Sequence, residues 1–156
     1  MYQRILLPLD GSELAERILP HTIELARRFD STVVLLHAVT SRVEVLSHAV
    51  ASDPVGASPI TAEVAEDVVA AEEDSTTRYF TRMTERLQNE GLRVEQVIME
   101  GDAVHILAHV IKEQRIDLVT MATHARSTLG RLFRGSVAES LLEEVEVPVL
   151  LLRADK

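Results

Sequence analysis

The stretch MATHARSTLGRLFRGSVAESLL, Met121 to Leu142, gathers the residues best suited to holding an anion. Arg126, Arg131 and Arg134 fall between His124 and Val137 with no acid among them, in a chain whose formal net charge is -9. Guanidinium groups are planar, bidentate donors that match a phosphate. Gly135-Ser136 then opens a run of helical character. A helix start points unpaired N–H groups outward, carries partial positive charge, and with glycine lets the backbone come close to a ligand. Ser136 and Glu139 also fit the S-x-x-E capping box, which would use the same groups within the helix. The residues alone allow both readings.

Two further groups have chemistry to offer. Asp10, just before Gly11-Ser12, could accept hydrogen bonds from ribose or an adenine amino group, or could serve the start of the next helix. His105 and His109 stand four apart, one helical turn, which is a spacing that can hold a metal. No third ligand is fixed by spacing, so the pair reads as part of a surface helix and no metal site is expected. Other signatures are missing: the chain has no G-x-x-x-x-G-K-[ST], no G-x-G-x-x-G and no G-x-S-x-G. With Lys112 and Lys156 as the only lysines, a lysine-based phosphoryl-transfer centre is poorly supplied. No nucleophile stands beside a tuned base, so no catalytic residue is assigned.

These groups need elements to place them. Ile5–Leu9 is short, apolar and stopped by Asp10-Gly11-Ser12, which predicts a buried parallel strand. Leu14, Ile18, Thr22, Leu25 and Phe29 recur at helical spacing. Thr32–Val39 reads as a second buried strand. From Thr40 to about Pro59 no period holds, and Pro54, Gly56 and Pro59 punctuate a variable loop at about 40–60. A long helix follows, with Val64, Val68, Ala71, Ser75, Tyr79, Met83 and Leu87 on one face and Asn89-Glu90-Gly91 as its stop. Val94–Met99 is a third strand. Asp102 caps a helix whose inner face is Val104, Leu107, Val110 and Ile111. Ile116–Ala122 is a fourth strand, residues 136–144 a short helix, and Pro148–Leu152 a fifth strand.

Apolar strands alternating with amphipathic helices predict an α/β fold, a doubly wound parallel sheet with helices on both faces. Ligands in such sheets bind beyond the strand C-termini where the strand order reverses. The ends of the first strand (Pro8, Leu9, Asp10) and of the fourth (Met121, Ala122) are the candidates for that rim. The chain of 156 residues is most simply one domain, and its 46% hydrophobic content suits a buried core. Aromatic residues make up 3% and the charge is acidic, which argues against a nucleic-acid surface. The absence of cysteine excludes disulfides and thiolate metal sites. No run approaches the about 18 apolar residues of a membrane span, so no membrane association and a cytoplasmic location are expected.

Four segments together resemble the universal stress protein family over essentially the full chain: ILLPLDGSELAERIL, LLHAV, EGDAVHILAHVIKEQRIDLVTMATHARS and RLFRGSVAESLLEEVEVPVLLL. The resemblance implies a five-stranded, Rossmann-like sheet of the adenine nucleotide alpha hydrolase type. It also implies a homodimer through the last strand, Val149, Leu150 and Leu151. One branch of the family binds ATP through a loop written G-x2-G-x9-G-[ST], and another lacks the loop and does not bind. Here the spacing is kept as Ala122, two residues, Ala125, nine residues, Gly135 and Ser136, with alanine at the first two glycines. By resemblance Pro8, Leu9, Asp10 and Ala38 would border adenine and ribose. Met121, Ala122, His124, Ala125, Arg126, Gly135, Ser136 and Val137 would surround the phosphates of ATP with Mg²⁺.

An alanine forced to positive φ loses about 1–2 kcal/mol. Two such losses would weaken binding by roughly 30- to 1,000-fold. The implied function is a stress-response module regulated by ATP or a related adenine nucleotide, with slow hydrolysis at most. The alternative is a dimeric interaction module of the same family in which the phosphate loop is degenerate.

Overall fold

A computed structural model describes residues 1–39, 59–124 and 137–154 of the chain. Five strands, β1 (Arg4–Pro8), β2 (Thr32–Val39), β3 (Arg93–Glu100), β4 (Leu118–His124) and β5 (Val149–Ala154), form one sheet in the order β3-β2-β1-β4-β5. Every neighbouring pair is parallel. The strand order turns outward in both directions from β1 and β4, so the switch point lies between them. Among the described residues five helices accompany the sheet: α1 (Glu13–Glu16), α2 (Leu19–Phe29), α3 (Pro59–Asn89), α4 (Ala103–Glu113) and α5 (Val137–Glu144). Among the described residues no helix is long and apolar enough to cross a membrane.

The apolar strands are covered on both faces, which is why they read as runs rather than alternations. Ile5, Leu7, Val33 and Leu35 face one layer, where they meet Ile18, Leu19, Ala26, Phe80, Met83 and Leu87 from the helices before β2 and from α3. Leu6, Val34, Leu36, Val119 and Met121 face the other, against Ile106, Leu107, Val110 and Ile111 of α4 and Ala138 and Leu141 of α5. Each fully buried Leu or Val contributes about 1.5–3 kcal/mol relative to exposure. One polar pair crosses this interior: Thr22 Oγ1 lies 2.8 Å from Thr120 Oγ1, and Thr22 also donates to the Ile18 carbonyl at 3.3 Å.

Three expectations need correction. The single helix expected from Leu14 to Phe29 is two, because Pro20 has no N–H to give to the preceding turn and its ring clashes with the carbonyl four residues back. Among the described side chains of α3 the buried stripe is Phe80, Met83 and Leu87, while Ala71 and Ser75 are exposed and Tyr79 is half-buried; the side chains of Val64 and Val68 lie outside those described. On α4 the inner face includes Ile106 in place of Val104, which is half-buried. Both stripe errors have one cause: a period fixes a face only to within about one position until the neighbouring element is known. The variable segment 40–58 and the loop 125–136 lie outside the described residues.

Candidate functional site

The β1 end builds one wall. Leu9 is buried and its N–H donates to the Leu36 carbonyl at 2.9 Å, carrying the ladder one step past Pro8. Gly11, at φ +81°, lets the chain turn there, in a region an L side chain rarely adopts. Asp10 Oδ1 accepts from the Ser12 N–H at 2.9 Å, and Ser12 Oγ accepts from the Ala15 N–H at 3.1 Å. Ser12 is therefore the cap of α1, and Asp10 holds the turn before it. That leaves the exposed Asp10 carboxylate standing on the rim.

The β2 end supplies Leu36, His37 and Ala38. His37 Nδ1 lies 2.8 Å from the Leu9 carbonyl oxygen. A carbonyl can only accept, so Nδ1 carries the proton and the ring ties the β2 end to the β1 turn. The ring also packs on Phe80 of α3, with centroids 5.2 Å apart. At the next junction the Gly101 N–H donates to the Val39 carbonyl at 2.9 Å, which brings the start of α4 to the same rim.

The β4 end, with the first turn of α5, closes the other side. A cavity of about 290 Å³ opens between these walls. It gathers Pro8, Leu9, Asp10 and Ala38 with Met121, Ala122, Thr123, Val137 and Ala138, and Ala103 and Leu107 of α4 form its back. Among the described residues Asp10 and His37 are the only acid and base in this lining. The carboxylates of Glu16 and Asp10 lie close enough to Tyr79 to matter. Burial first, then those charges, raise its hydroxyl above the ordinary tyrosine range.

Seven of the expected site residues thus share one cavity: Pro8, Leu9, Asp10, Ala38, Met121, Ala122 and Val137. His124 ends β4. Ala125, Arg126, Gly135 and Ser136 lie outside the described residues. Sequence reasoning missed His37, whose signal was its place beside Ala38 at the end of a predicted strand. It also missed Ala103 and Leu107, which only the return of α4 to the rim brings there.

Ala122 repays closer attention. It lies within β4, paired in register with Leu152, and among the described residues Asp30 and Arg115 are the only non-glycine positions with positive φ. The backbone penalty expected for alanine at this position therefore does not arise. What remains is the space taken by one methyl group.

An apolar slot of this size, walled by strand ends and bearing one carboxylate, suits a flat heteroaromatic ring joined to a hydroxylated group. The cavity lies at the switch point of the sheet, where parallel α/β folds receive ligands.

The model of the universal stress protein family matches residues 1–153. The universal stress protein MJ0577 of Methanocaldococcus jannaschii is 26% identical, over 98% of this chain and 96% of its own. The solved structure of MJ0577 superposes with a TM-score of 0.77 at 23% identity, covering 99% of this chain and 97% of that one. A universal stress protein of Archaeoglobus fulgidus solved in complex with dAMP gives a TM-score of 0.61 at 17% identity, over 97% of this chain and 98% of that one. Another universal stress protein, solved with cAMP, gives 0.62 at 17% identity, over 97% of each chain. The chain belongs to the universal stress protein family.

Proposed function

We propose that the chain is a regulatory module that binds an adenine nucleotide, ATP with Mg²⁺ in our reading, in the cavity beyond β1, β2 and β4. The observation that carries this is the meeting of Asp10, Ala38, Met121, Ala122 and Val137 around one apolar slot at the switch point. The slot takes the base, and the Asp10 carboxylate accepts from ribose hydroxyls. Phosphates extend toward the first turn of α5, whose N–H groups and dipole favour negative charge. The two relatives solved with dAMP and cAMP support an adenine nucleotide as the class of ligand. Gly135, Ser136 and Arg126 are assigned to the phosphates on resemblance alone, and the retained spacing supports them.

Calorimetric titration of nucleotide-free protein with ATP and Mg²⁺ tests the reading, with AMP and cAMP in parallel. Saturable binding that Asp10→Ala weakens about tenfold is expected, an amount worth about 1.4 kcal/mol. No heat from any of the three up to millimolar concentration would overturn it.

The β5 edge favours a second property alongside the first. Leu150 and Leu151 are 37% and 38% exposed on β5, an edge strand of the sheet with an apolar run from Val149 to Leu152. Such an edge invites pairing with another strand. We assign it to a homodimer through Val149, Leu150 and Leu151, working in the cytoplasm as part of a stress response. Sedimentation at micromolar concentration should give the mass of a dimer, and Leu150→Lys with Leu151→Lys that of a monomer. A nucleotide-independent module would keep the dimer and show no nucleotide heat.

A further inference from the structure

Helix α4 carries two histidines that the cavity does not use. Ala103 and Leu107 of this helix line the cavity, whereas His105 and His109 are exposed. They are four residues apart, the spacing at which two imidazoles on one helical face can hold the same metal ion. By itself this spacing describes many surface helices. The fold adds a third group. Asp102, the N-cap of α4, places Oδ1 3.0 Å from the backbone nitrogen of His105 and 2.8 Å from its Nδ1.

A carboxylate accepts and does not donate, so Nδ1 of His105 carries the proton. In the neutral ring the lone pair is then on Nε2, the far nitrogen, on a side chain that is 82% exposed. A histidine whose second nitrogen donates to a carboxylate is the arrangement that orients metal ligands and raises their basicity. The cap thus leaves Nε2 as the nitrogen open to a metal and limits the rotation of the ring. Lys112 and Glu113, one turn beyond His109, are both exposed and offset each other in charge.

We propose that His105 and His109 chelate a divalent first-row transition cation on the outer face of α4, with Asp102 positioning His105 and water completing the coordination. The protein contributes these two ligands; among the described residues no group of three or more histidine, cysteine, aspartate or glutamate side chains comes together to hold a metal. Such a site exchanges its metal readily and follows the intrinsic order of affinity, copper(II) above zinc. Because only the formed helix holds the two histidines one turn apart, bound metal would stabilise the folded chain.

Zinc chloride titrated calorimetrically into the full-length, chelator-treated, nucleotide-free protein tests this. One saturable site per chain is expected, with copper(II) displacing zinc and zinc raising Tm. His105→Ala and His109→Ala should each weaken binding by more than tenfold. Both residues are exposed and alanine favours helix, so these variants keep the fold, which far-ultraviolet circular dichroism checks. Asp102→Asn preserves a good cap and should weaken zinc about tenfold, at the lower end of outer-shell effects. Zinc binding unchanged in either histidine variant would overturn the site and direct attention to His21, His37, His48 and His124. Failure of the wild type to bind up to millimolar zinc would overturn it as well. Asp102→Asn with undiminished affinity would overturn the positioning role.

Discussion

At the N-terminal ends of the strands, side chains fasten each element to the next; at the C-terminal ends, the same strands stop around a cavity. Asp117, just before β4, accepts from the Gln3 and Arg4 backbone N–H groups at 2.8 and 3.2 Å and so pins β1 beside β4. The Arg4 guanidinium forks onto Glu95 of β3 at 3.1 and 2.6 Å and also reaches Gln114 at 2.9 Å. Arg27 pairs with Glu90, and Arg93 with Asp30, beneath α2 and α3. The opposite end has Asp10 holding a turn with one oxygen and His37 tying two strand ends, around about 290 Å³ of cavity. One end is closed by polar contacts within the chain, and the other keeps polar groups available. In a parallel sheet this division lets stability and ligand binding be altered separately.

The sharpest way to break the comparison is at Asp117. Asp117→Ala removes an acceptor shared by two backbone N–H groups and should cost about 1.5–3 kcal/mol, the range for hydrogen bonds to a charged group. Urea denaturation should show a lower midpoint at an unchanged slope, and nucleotide affinity of the folded fraction should stay within about twofold. A large affinity loss in this variant would mean that the two ends are coupled.

Asp10→Ala is the converse test. Nucleotide affinity should fall about tenfold, or about 1.4 kcal/mol. Stability should fall by less than about 1 kcal/mol, because the lost contact is a single exposed turn hydrogen bond. Unfolding and binding measured on one preparation compare the two effects directly.

A smaller effect sharpens the reading of the alanines. Ala122→Gly should change ATP affinity less than about threefold, since β4 holds this residue at ordinary strand angles. It should cost about 0.5–1 kcal/mol of stability through the freedom glycine gains on unfolding. Whatever loss the alanines impose on phosphate binding then falls on Ala125, at most one backbone penalty of about 1–2 kcal/mol, or roughly 5- to 30-fold.

The smallest effect is a pH dependence at the tied end. The Arg4 hydrogen bond, ahead of any other cause, holds the Glu95 carboxyl below its ordinary value of 4.5. A depressed folded-state pKa gives stability that is present above the unfolded value and is lost as pH falls through the folded one. The pair is partly exposed, with side chains at 28% and 49%, so solvent keeps its contribution within the range of surface ion pairs. Arg4→Met should flatten the fall in Tm below about pH 4.5 and leave the curve near neutrality parallel to the wild type's.

Much of this was legible in single residues. The runs around Leu6, Val34 and Val119 declared buried parallel strands, because only strands covered on both faces lose their polar alternation. Asp102 declared itself a cap, and Gly91 a stop, by chemistry that acts within a few residues. The rim followed from the α/β order, and four quoted segments carried the family resemblance. Misplaced features depended on contacts between distant segments. Pro20 divided a periodic run because backbone geometry overrides apolar spacing, and Phe80 took the fully buried place expected of Tyr79 on α3, where it packs on His37 of β2.

The sequence by itself determined the elements, their alternation and the residue types available at the rim, since these depend on local sterics and on the period of apolar burial. The tertiary structure alone decided that His37 would lock the Leu9 carbonyl, that Ala122 would pair in register with Leu152, and that Ala103 and Leu107 would return to the rim. Each of those outcomes joins segments distant in the chain, and such contacts exist only after the chain has packed.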